Sequence, residues 1–552
     1  MDQAPGAHAG ATTAPLDLQD HLARLEAAGL LTRISRPIDK DSELHPLARW
    51  QFQGGLSEEQ RTGFLFTDVH GAAGERYDIP VAVNVLAANP AIYAIGLGIS
   101  EDRIGEAWVR AMAHPITPVL VDDAPCQEVV LEGDALTVPG GGLATLPIPI
   151  STPGFDSAPY LTATLVTTVD PETGVRNMGT YRAALKAQDR MGVRMASRLG
   201  GAGGYQHWLK YKKLGQKMPV AIVVGCAPAV LFCGPQKLEI DQDELAVAGG
   251  LIGTAIRTVR CKTVPLEVPA DAEIVIEGWI DTEMLEPEGP FGESHGHVAL
   301  EDYNMSMQVT AITRKAKPVF VSIVSQVTPS ESSVLKRVAY EPLYLEHLKQ
   351  ALNIKGIKRV VMHEALTNLR PVIFLQFDRS APQTEIWRGM QGASTLQAQC
   401  GKIIIAVSED IDARNADAVF WSLAYRASMI DDLHVVPHRA PSHGPKSGKR
   451  AQDGTLMIDA TLKHDMPPLA LPAERFMTRA KAIWEELQLP RLTPQPPWHG
   501  VSLGDWSDSW QKMADHAVAG DWRSVGADTY ARRHAAEFKP ETPVRDIEGK
   551  KK

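Results

Sequence analysis

A chain of 552 residues with 44% hydrophobic and 22% charged side chains has room for two to four domains of roughly 150 residues and the composition of an ordinary folded protein, not a disordered one. Its net charge of −10, from 56 basic and 66 acidic side chains, leaves no large basic field to hold a nucleic-acid backbone or an anionic membrane, so the expected ligand is a small molecule. Five scattered cysteines, Cys126, Cys226, Cys233, Cys261 and Cys400, form no C-x-x-C pair, which argues against a disulfide framework or a Cys-ligated zinc and fits a reducing cytoplasm.

Residues 1–15 have neither a basic start nor a continuous apolar stretch, so neither a secretory signal nor a membrane anchor is expected there. Asp17 as a cap, Leu18, Leu22 and Leu25 on one face and Gly29 as a stop predict a helix over 18–28. Short apolar runs at 64–67 and 81–85 read as strands of an N-terminal α/β unit ending near Pro115. A Pro/Gly-rich stretch, 138–159, marks a boundary.

The Thr/Val-rich run 160–170, a turn at 171–174 and the run 175–183 predict a hairpin. The apolar stretch 218–235 is long enough to raise a membrane span, but Pro219, Gly225, Pro228 and Pro235 divide it into a buried strand over 220–224, a turn and a short apolar element. Further strands at 264–268, 274–278 and 305–312, with one helix over 241–252, suggest a mainly antiparallel barrel or sandwich. After Ser325 helix and strand alternate, at 340–352, 357–362, 372–377, 387–398 and 403–407, which predicts an α/β domain with a buried parallel sheet. The Lys/Gly/Ser-rich 442–454 reads as a solvated loop, and 498–552 as a charged tail with helical patches and a frayed end.

The segment most informative about chemistry is Glu288-Gly-Pro-Phe-Gly-Glu293, followed by Ser294-His295-Gly296-His297. A Gly-Pro turn folds both carboxylates towards one point, where repulsion raises one pKa and supplies a proton donor; alone, the segment also fits a solvated acidic turn. Alternation along 177–182 places Met178, Thr180 and Arg182 on the face opposite Asn177, Gly179 and Tyr181. Arg182 is then either an edge charge or an inward guanidinium that clamps a carboxylate. Asn177, His207 and Glu244 offer an amide oxygen, an imidazole and a carboxylate, a set suited to octahedral Mn²⁺ or Mg²⁺ and a shared phosphate. His295 and His297, two apart, would share one face of a strand, as a pocket wall or a solvent-facing pair. Gly200 to Gly204 does not spell a dinucleotide fingerprint, and no Walker loop, H-E-x-x-H or G-x-S-x-G occurs.

Taken together, Asn-x-Gly-x-Tyr-Arg at 177–182, Glu-Leu-Ala at 244–246, the run 268–278 and Glu288 to Glu293 resemble the UbiD family of reversible decarboxylases, which use prenylated FMN. The likeness extends from the N-terminal helix through 403–412 and 458–461. It implies an α+β multidomain chain: an N-terminal α/β segment (1–115), a split β-barrel flavin-binding domain (116–325), and a C-terminal α/β oligomerisation domain with a helical tail (326–552). Residue by residue, it implies that Asn177, Met178, Thr180, Arg182, Gln206, His207 and Glu244 line the cofactor site. Asn177, His207 and Glu244 would hold Mn²⁺ on the cofactor phosphate with K⁺ nearby, and Arg182, Glu288 and Glu293 would form the ionic network over the flavin.

In that family the flavin forms a covalent adduct with the substrate and serves as the electron sink while CO₂ leaves, and Glu293 would protonate the carbon left behind. The implied substrate is an aromatic, heteroaromatic or α,β-unsaturated carboxylic acid, as free acid or CoA thioester. The implied partners are a flavin prenyltransferase as cofactor supplier and a homodimer or homohexamer. The spacing from Asn177 to His207 is longer than the family's, with 196–203 inserted, and Ser294 to His297 departs from the usual continuation. A metal-dependent hydrolase built on Asn177, His207 and Glu244, and a non-catalytic flavin- or metal-binding assembly protein, are the competing readings.

Overall fold

The computed structural model describes residues 13–197, 202–236, 238, 242–363, 370–397, 400–439, 452–463, 466–494, 496–533 and 542–548. Part of the Gly-rich stretch at 200–201, the first residue of the expected helix at Asp241, most of the 442–454 loop and the end of the tail lie outside them. The chain forms two compact units, one of 1–409 with 413–461 and one of 410–412 with 462–552. Among the described residues no helix is long and apolar enough to cross a membrane, and all five cysteines are free thiols.

The larger unit begins with the helix Leu18–Ala27, capped by Asp17, whose side chain accepts from the Asp20 N–H at 2.8 Å. Gly29 ends it in the left-handed region at φ 71°, where a Cβ is disfavoured. Leu18, Leu22 and Leu25 enter the core beside a four-stranded sheet ordered Leu31–Ile34, Gly63–Phe66, Val81–Val83, Phe320–Ser322. The last strand comes from more than two hundred residues downstream and pairs in parallel with Val81–Val83. Glu331 fastens the same region, its buried carboxylate accepting from the N–H groups of Asn84 at 3.0 Å and Leu86 at 2.8 Å.

The centre of the unit is a nine-stranded antiparallel sheet. Its main path runs Arg176–Gly179, Thr164–Val169, Met218–Val224, Ile274–Glu288, Asp302–Arg314, Arg190–Val193, Ala183–Ala187, Tyr160–Leu161, with Val129–Glu132 added on Asp302–Arg314. Chain length dictates its shape. Gly179 lies on the first strand of that path and Ala183 on the seventh. In a flat sheet they would be about 29 Å apart at ~4.8 Å per strand, yet the chain from one to the other reaches at most ~14 Å. Leu161 and Thr164 impose the same limit from the other end. The sheet therefore curls until its two ends meet along a seam, crossed by 162–163 and 180–182.

The expected hairpin forms, Thr164–Val169 pairing antiparallel with Arg176–Gly179, but both arms are shorter than expected. The run 160–170 is two strands on opposite sides of the seam, and the second arm stops at Gly179, so Arg182 belongs to the crossing and not to a strand. The strand expected at 274–278 runs on to Glu288, and that at 305–312 spans Asp302–Arg314. The apolar 218–235 run is the fully buried strand Met218–Val224 followed by a buried helix, Pro228–Cys233.

Beyond the helix Glu331–Glu346, a second sheet is ordered Ile357–Met362, Val372–Phe377, Ile403–Ser408, Asp453–Ala460, Leu433–Arg439. Its three inner strands are parallel as expected, but both edge pairs are antiparallel, so the sheet is mixed. The smaller unit carries the helices Glu474–Glu486, which has no counterpart in the sequence reading, Asp508–Val518, Trp522–Ala531 and Val544–Glu548.

Two core histidines give the larger unit a pH-dependent stability. His21 Nε2 meets the Val85 carbonyl at 2.7 Å, and His45 Nε2 meets Ser322 Oγ at 2.8 Å. Burial pushes His21 down to about 4 and His45 to about 3, from an ordinary 6.5. Both are neutral in the fold, while the unfolded chain takes up protons below ~6.5. Their contribution is full above that pH and is lost as pH falls towards the folded values. The melting midpoint should drop steadily from pH 6.5 to 4, and His21→Gln with His45→Gln should flatten that slope; a native midpoint constant across the window would refute it.

Candidate active site at the seam

Arg182 projects from the seam crossing into a cage of acids. Its Nε and Nη2 donate to the two oxygens of Glu288, each at 2.8 Å, and its Nη1 donates to Glu293 Oε1. The guanidinium lies 4.5 Å over the Phe291 ring, which is tilted against Tyr160 at 4.3 Å. Burial works against the charge on Arg182, but the hydrogen bonds and charges of Glu288 and Glu293 outweigh it and hold the guanidinium above its ordinary pKa.

The loop between the two acids explains its own sequence. Glu288 ends the long strand, and Phe291–Gly292 then pairs with Val298–Ala299. A Cβ at Gly289 would collide with Ser157, and one at Gly292 with Thr152. The segment 152–157 presses this close because the Ser157 N–H donates to the Pro290 carbonyl at 2.9 Å and the Gly292 N–H to Asp156 Oδ1 at 2.7 Å. Burial raises the Asp156 carboxyl, partly offset by backbone N–H donors from Gly292, Thr152 and Ser151.

Two further residues complete the cage, and sequence reading missed both. Asn304 Nδ2 donates to Glu288 Oε2 at 2.8 Å, and Arg194 Nη1 stands 3.7 Å from the same oxygen. Arg194 is shared, its Nη2 donating to Asp302 Oδ2 at 3.2 Å. The signal that could have found them is register: the long strand pairs with Asp302–Arg314 so that Glu288 faces Asp302, and the Arg194 N–H donates to the Arg182 carbonyl at 3.0 Å. His295 and His297 lie in the turn after Glu293, where the Glu293 N–H donates to the His297 carbonyl at 2.9 Å; they are not on a strand, and His297 is exposed.

The second group of expected residues gathers beside the first strand of the sheet. Asn177 stands opposite Thr168, whose hydroxyl is 2.9 Å from His207 Nδ1. The helix Gly203–Lys213 brings His207 and Gln206, and its first turn approaches so closely that a Cβ at Gly203 would collide with the Asn177 amide oxygen. Asn177 Nδ2 donates to Tyr181 Oη at 3.3 Å, which turns its carbonyl oxygen away from that bond. Glu244 opens the helix Glu244–Ile252 and accepts from the Met178 N–H at 2.9 Å; Arg176 pins the capping Asp243 at 3.0 Å. Thr180 N–H donates to the carbonyl of Gly234, at the end of the helix Pro228–Cys233, at 3.2 Å.

These donors fit a divalent cation. Burial pushes Glu244 up to about 8, a cost that a metal ion would reverse. Burial also pushes His207 down to about 4, so the imidazole is neutral, and a Thr168 bond at Nδ1 leaves Nε2 to coordinate. Among the described residues no group of three or more His, Cys, Asp or Glu could hold a metal, so a site here depends on the Asn177 amide.

Comparison with known proteins converges on one family. Residues 119–327 match the 3-octaprenyl-4-hydroxybenzoate carboxy-lyase Rift-related domain of UbiD, and 333–460 match its C-terminal domain. An uncharacterised protein of Synechocystis sp. is 28% identical over 478 residues, covering 82% of this chain and 90% of that one. An evolved dimeric form of the UbiD-class enzyme HmfF from Pelotomaculum thermopropionicum, in complex with prFMN, superimposes with a TM-score of 0.71 at 26% identity, covering 83% of this chain and 97% of that one. The apo 3,4-dihydroxybenzoic acid decarboxylase of Enterobacter cloacae shares the fold, with a TM-score of 0.71 at 22% identity over 88% and 99% of the two chains.

The cage makes a stability prediction. Arg182→Met removes the cation between two buried carboxylates, so the unfolding free energy should fall by ~3–5 kcal/mol. Glu288→Gln in that background should recover part of the loss. Urea unfolding of the three proteins checks this, and an Arg182→Met variant as stable as the native chain would show that the cage is not closed in solution.

Proposed function

The chain belongs to the UbiD family and is a carboxy-lyase, and from that premise we propose that it is a reversible, non-oxidative decarboxylase of an aromatic, heteroaromatic or α,β-unsaturated carboxylic acid, as free acid or CoA thioester, with prenylated FMN as its cofactor. The observation that carries this reading is the Arg182 cage: one buried guanidinium bonded to Glu288 and Glu293 beside a curled sheet. The bound cofactor would supply the electron sink that decarboxylation needs and that no side chain offers.

In this reading Asn177, His207 and Glu244 hold Mn²⁺ at the cofactor phosphate with K⁺ nearby, and Met178, Thr180, Arg182 and Gln206 line the same site. The curled sheet serves as the split barrel that receives the flavin. The two carboxylates divide their roles by how they are held. Glu288 meets Arg182 bidentately and takes Asn304 as well, so it is held in place and orients the guanidinium. Glu293 meets Arg182 through one nitrogen and sits at the mouth of a tight turn. Glu293 therefore gives the proton to the carbon that has lost CO₂, with Arg182 steadying the carboxylate that remains.

We propose further that the chain works in a reducing cytoplasm, with its cofactor supplied by a flavin prenyltransferase. It would act as a homodimer or homohexamer through its C-terminal α/β body. The exposed Phe420, Tyr425 and Ile430, at 65%, 66% and 89% of their free surface, support an interface there.

The first test is production of the chain together with a flavin prenyltransferase: the protein should carry a flavin of prenylated mass and release CO₂ from members of an acid and acyl-CoA panel. A preparation that holds no flavin would overturn the proposal. Two variants probe the parts. Glu244→Ala should lower bound Mn²⁺ ~10-fold or more and take the cofactor with it, as metal analysis and the flavin spectrum would show; full occupancy would remove Glu244 from the site. Glu293→Gln keeps the shape but cannot give up a proton, so metal and flavin should stay while turnover stops. Deuterium from D₂O should enter the product at the former carboxylate carbon only in the native enzyme. A Glu293→Gln variant that still turns over would place the acid elsewhere.

A further inference from the structure

Only Gly289, Pro290, Phe291 and Gly292 separate the two carboxylates of the cage, and Glu288 is the last residue of its strand. Glu288 is held by Arg182 and Asn304. Glu293 follows two glycines, whose backbone freedom would let the second acid swing away from the guanidinium unless the loop is fixed from outside. The segment 152–157 fixes it. The Ser157 N–H and the Asp156 carboxylate engage the residues on either side of Phe291, at the Pro290 carbonyl and the Gly292 N–H, with distances of 2.9 and 2.7 Å. Phe291 between them bears the Arg182 guanidinium on its ring.

Asp156 reaches across from a turn of its own, in which the Thr152 carbonyl accepts from the N–H groups of Phe155 at 3.1 Å and Asp156 at 3.0 Å. Asp156 Oδ2 accepts from the Thr152 N–H at 2.7 Å, which leaves Oδ1 to take the Gly292 N–H. Side chains crowd Gly292 as well: a Cβ there would collide with Thr152 and come within 3.1 Å of Gln326 Cγ, and the Gln326 amide oxygen is itself held by Arg49. The Gly292 peptide is thus gripped by a carboxylate and wedged between two side chains. Glu293 leaves from that peptide. Its carboxylate takes Arg182 Nη1 on one oxygen and the Ser294 N–H, at 3.0 Å, on the other.

We propose that Asp156 is a positioning residue: through the Gly292 N–H it sets where the Glu293 carboxylate stands against Arg182. The inference rests on the reading of Glu293 as the acid that gives its proton to the carbon left by CO₂. Asp156 exchanges no proton in that step. It keeps the donor in one place, and a donor displaced by ~1 Å loses ~100-fold in rate.

The test compares the native protein, produced together with a flavin prenyltransferase, with Asp156→Ala and Asp156→Asn. A crystal structure of Asp156→Ala should show Glu293 more than ~3.5 Å from Arg182, with the bidentate Glu288 pair intact. Asp156→Asn, which keeps one acceptor oxygen for the Gly292 N–H, should hold Glu293 in place. If the alanine variant does not fold, Asp156→Ser, polar but too short to reach Gly292, decides by the same measurement. On the panel acid that the native enzyme decarboxylates fastest, kcat should fall ~100-fold in Asp156→Ala and less than ~10-fold in Asp156→Asn, with KM within ~3-fold of native in both. Flavin and Mn²⁺ content should match the native protein. Glu293 still bonded to Arg182 in Asp156→Ala, or loss of flavin and metal along with activity, would overturn the proposal. Because position is read without turnover, a displaced Glu293 with unchanged kcat would sink Glu293 as the acid and leave Asp156 in its role. An inactive Glu293→Gln beside an unmoved Glu293 in Asp156→Ala would do the reverse.

Discussion

A guanidinium locked between two carboxylates at the closure of a curled sheet is the interaction around which this protein is organised. Arg182 can reach Glu288 and Glu293 only because the chain crosses from the first strand of the sheet to the seventh in three residues, and the sheet can make that crossing only if it curls. Geometry and charge therefore enforce each other. Opening the seam would pull Arg182 out and leave two buried acids uncompensated, while the ion cage ties the crossing to the end of the long strand and to the turn beyond it. Phe291 and Tyr160 seal the cage from one side, and a loop that tolerates no side chain at Gly289 or Gly292 presses it from another.

The Arg182 cage and Glu244 solve the problem of a buried carboxylate in different ways. Glu288 and Glu293 are paired from within, both by Arg182, with Arg194 shared between Glu288 and Asp302. Glu244 accepts a backbone N–H from Met178, and burial raises its pKa although the charge of nearby Arg176 acts the other way. One pair is held by a guanidinium of the chain itself; the other carboxylate is held by a backbone donor. They are tied to the two ends of a six-residue stretch, 177–182, through the Met178 N–H and the Arg182 guanidinium.

Much of this arrangement was legible in the sequence. The symmetry of Glu288 and Glu293 about a Gly-Pro turn announced a pair of acids brought to one point, and the cap and stop of the first helix were read to within one residue. What failed was alternation. Counting by twos from Asn177 assumed an unbroken strand, but the strand ends at Gly179, and Tyr181 folds back so closely that a Cβ on Gly179 would strike its ring. The same assumption put His295 and His297 on a strand that does not exist. Arg194 and Asn304 were invisible because their roles come from which strands pair and in what register, which no local pattern encodes. The edge strands of the C-terminal sheet were misjudged for a related reason: burial makes parallel and antiparallel strands read alike.

The return of Phe320–Ser322 to the N-terminal sheet has a consequence for how the molecule is made. Val81–Val83 emerges from the ribosome long before its partner, and at about 5–20 residues per second the interval is roughly 12–50 s. Throughout that time a fully apolar strand has an open edge, and His45 lacks the Ser322 hydroxyl that receives it in the finished core. The central sheet, with its ion cage, is synthesised entirely within that interval. The N-terminal layer is thus first in sequence but can close only after the central sheet has been made, so the open edge of Val81–Val83 is exposed to wrong pairing throughout that interval.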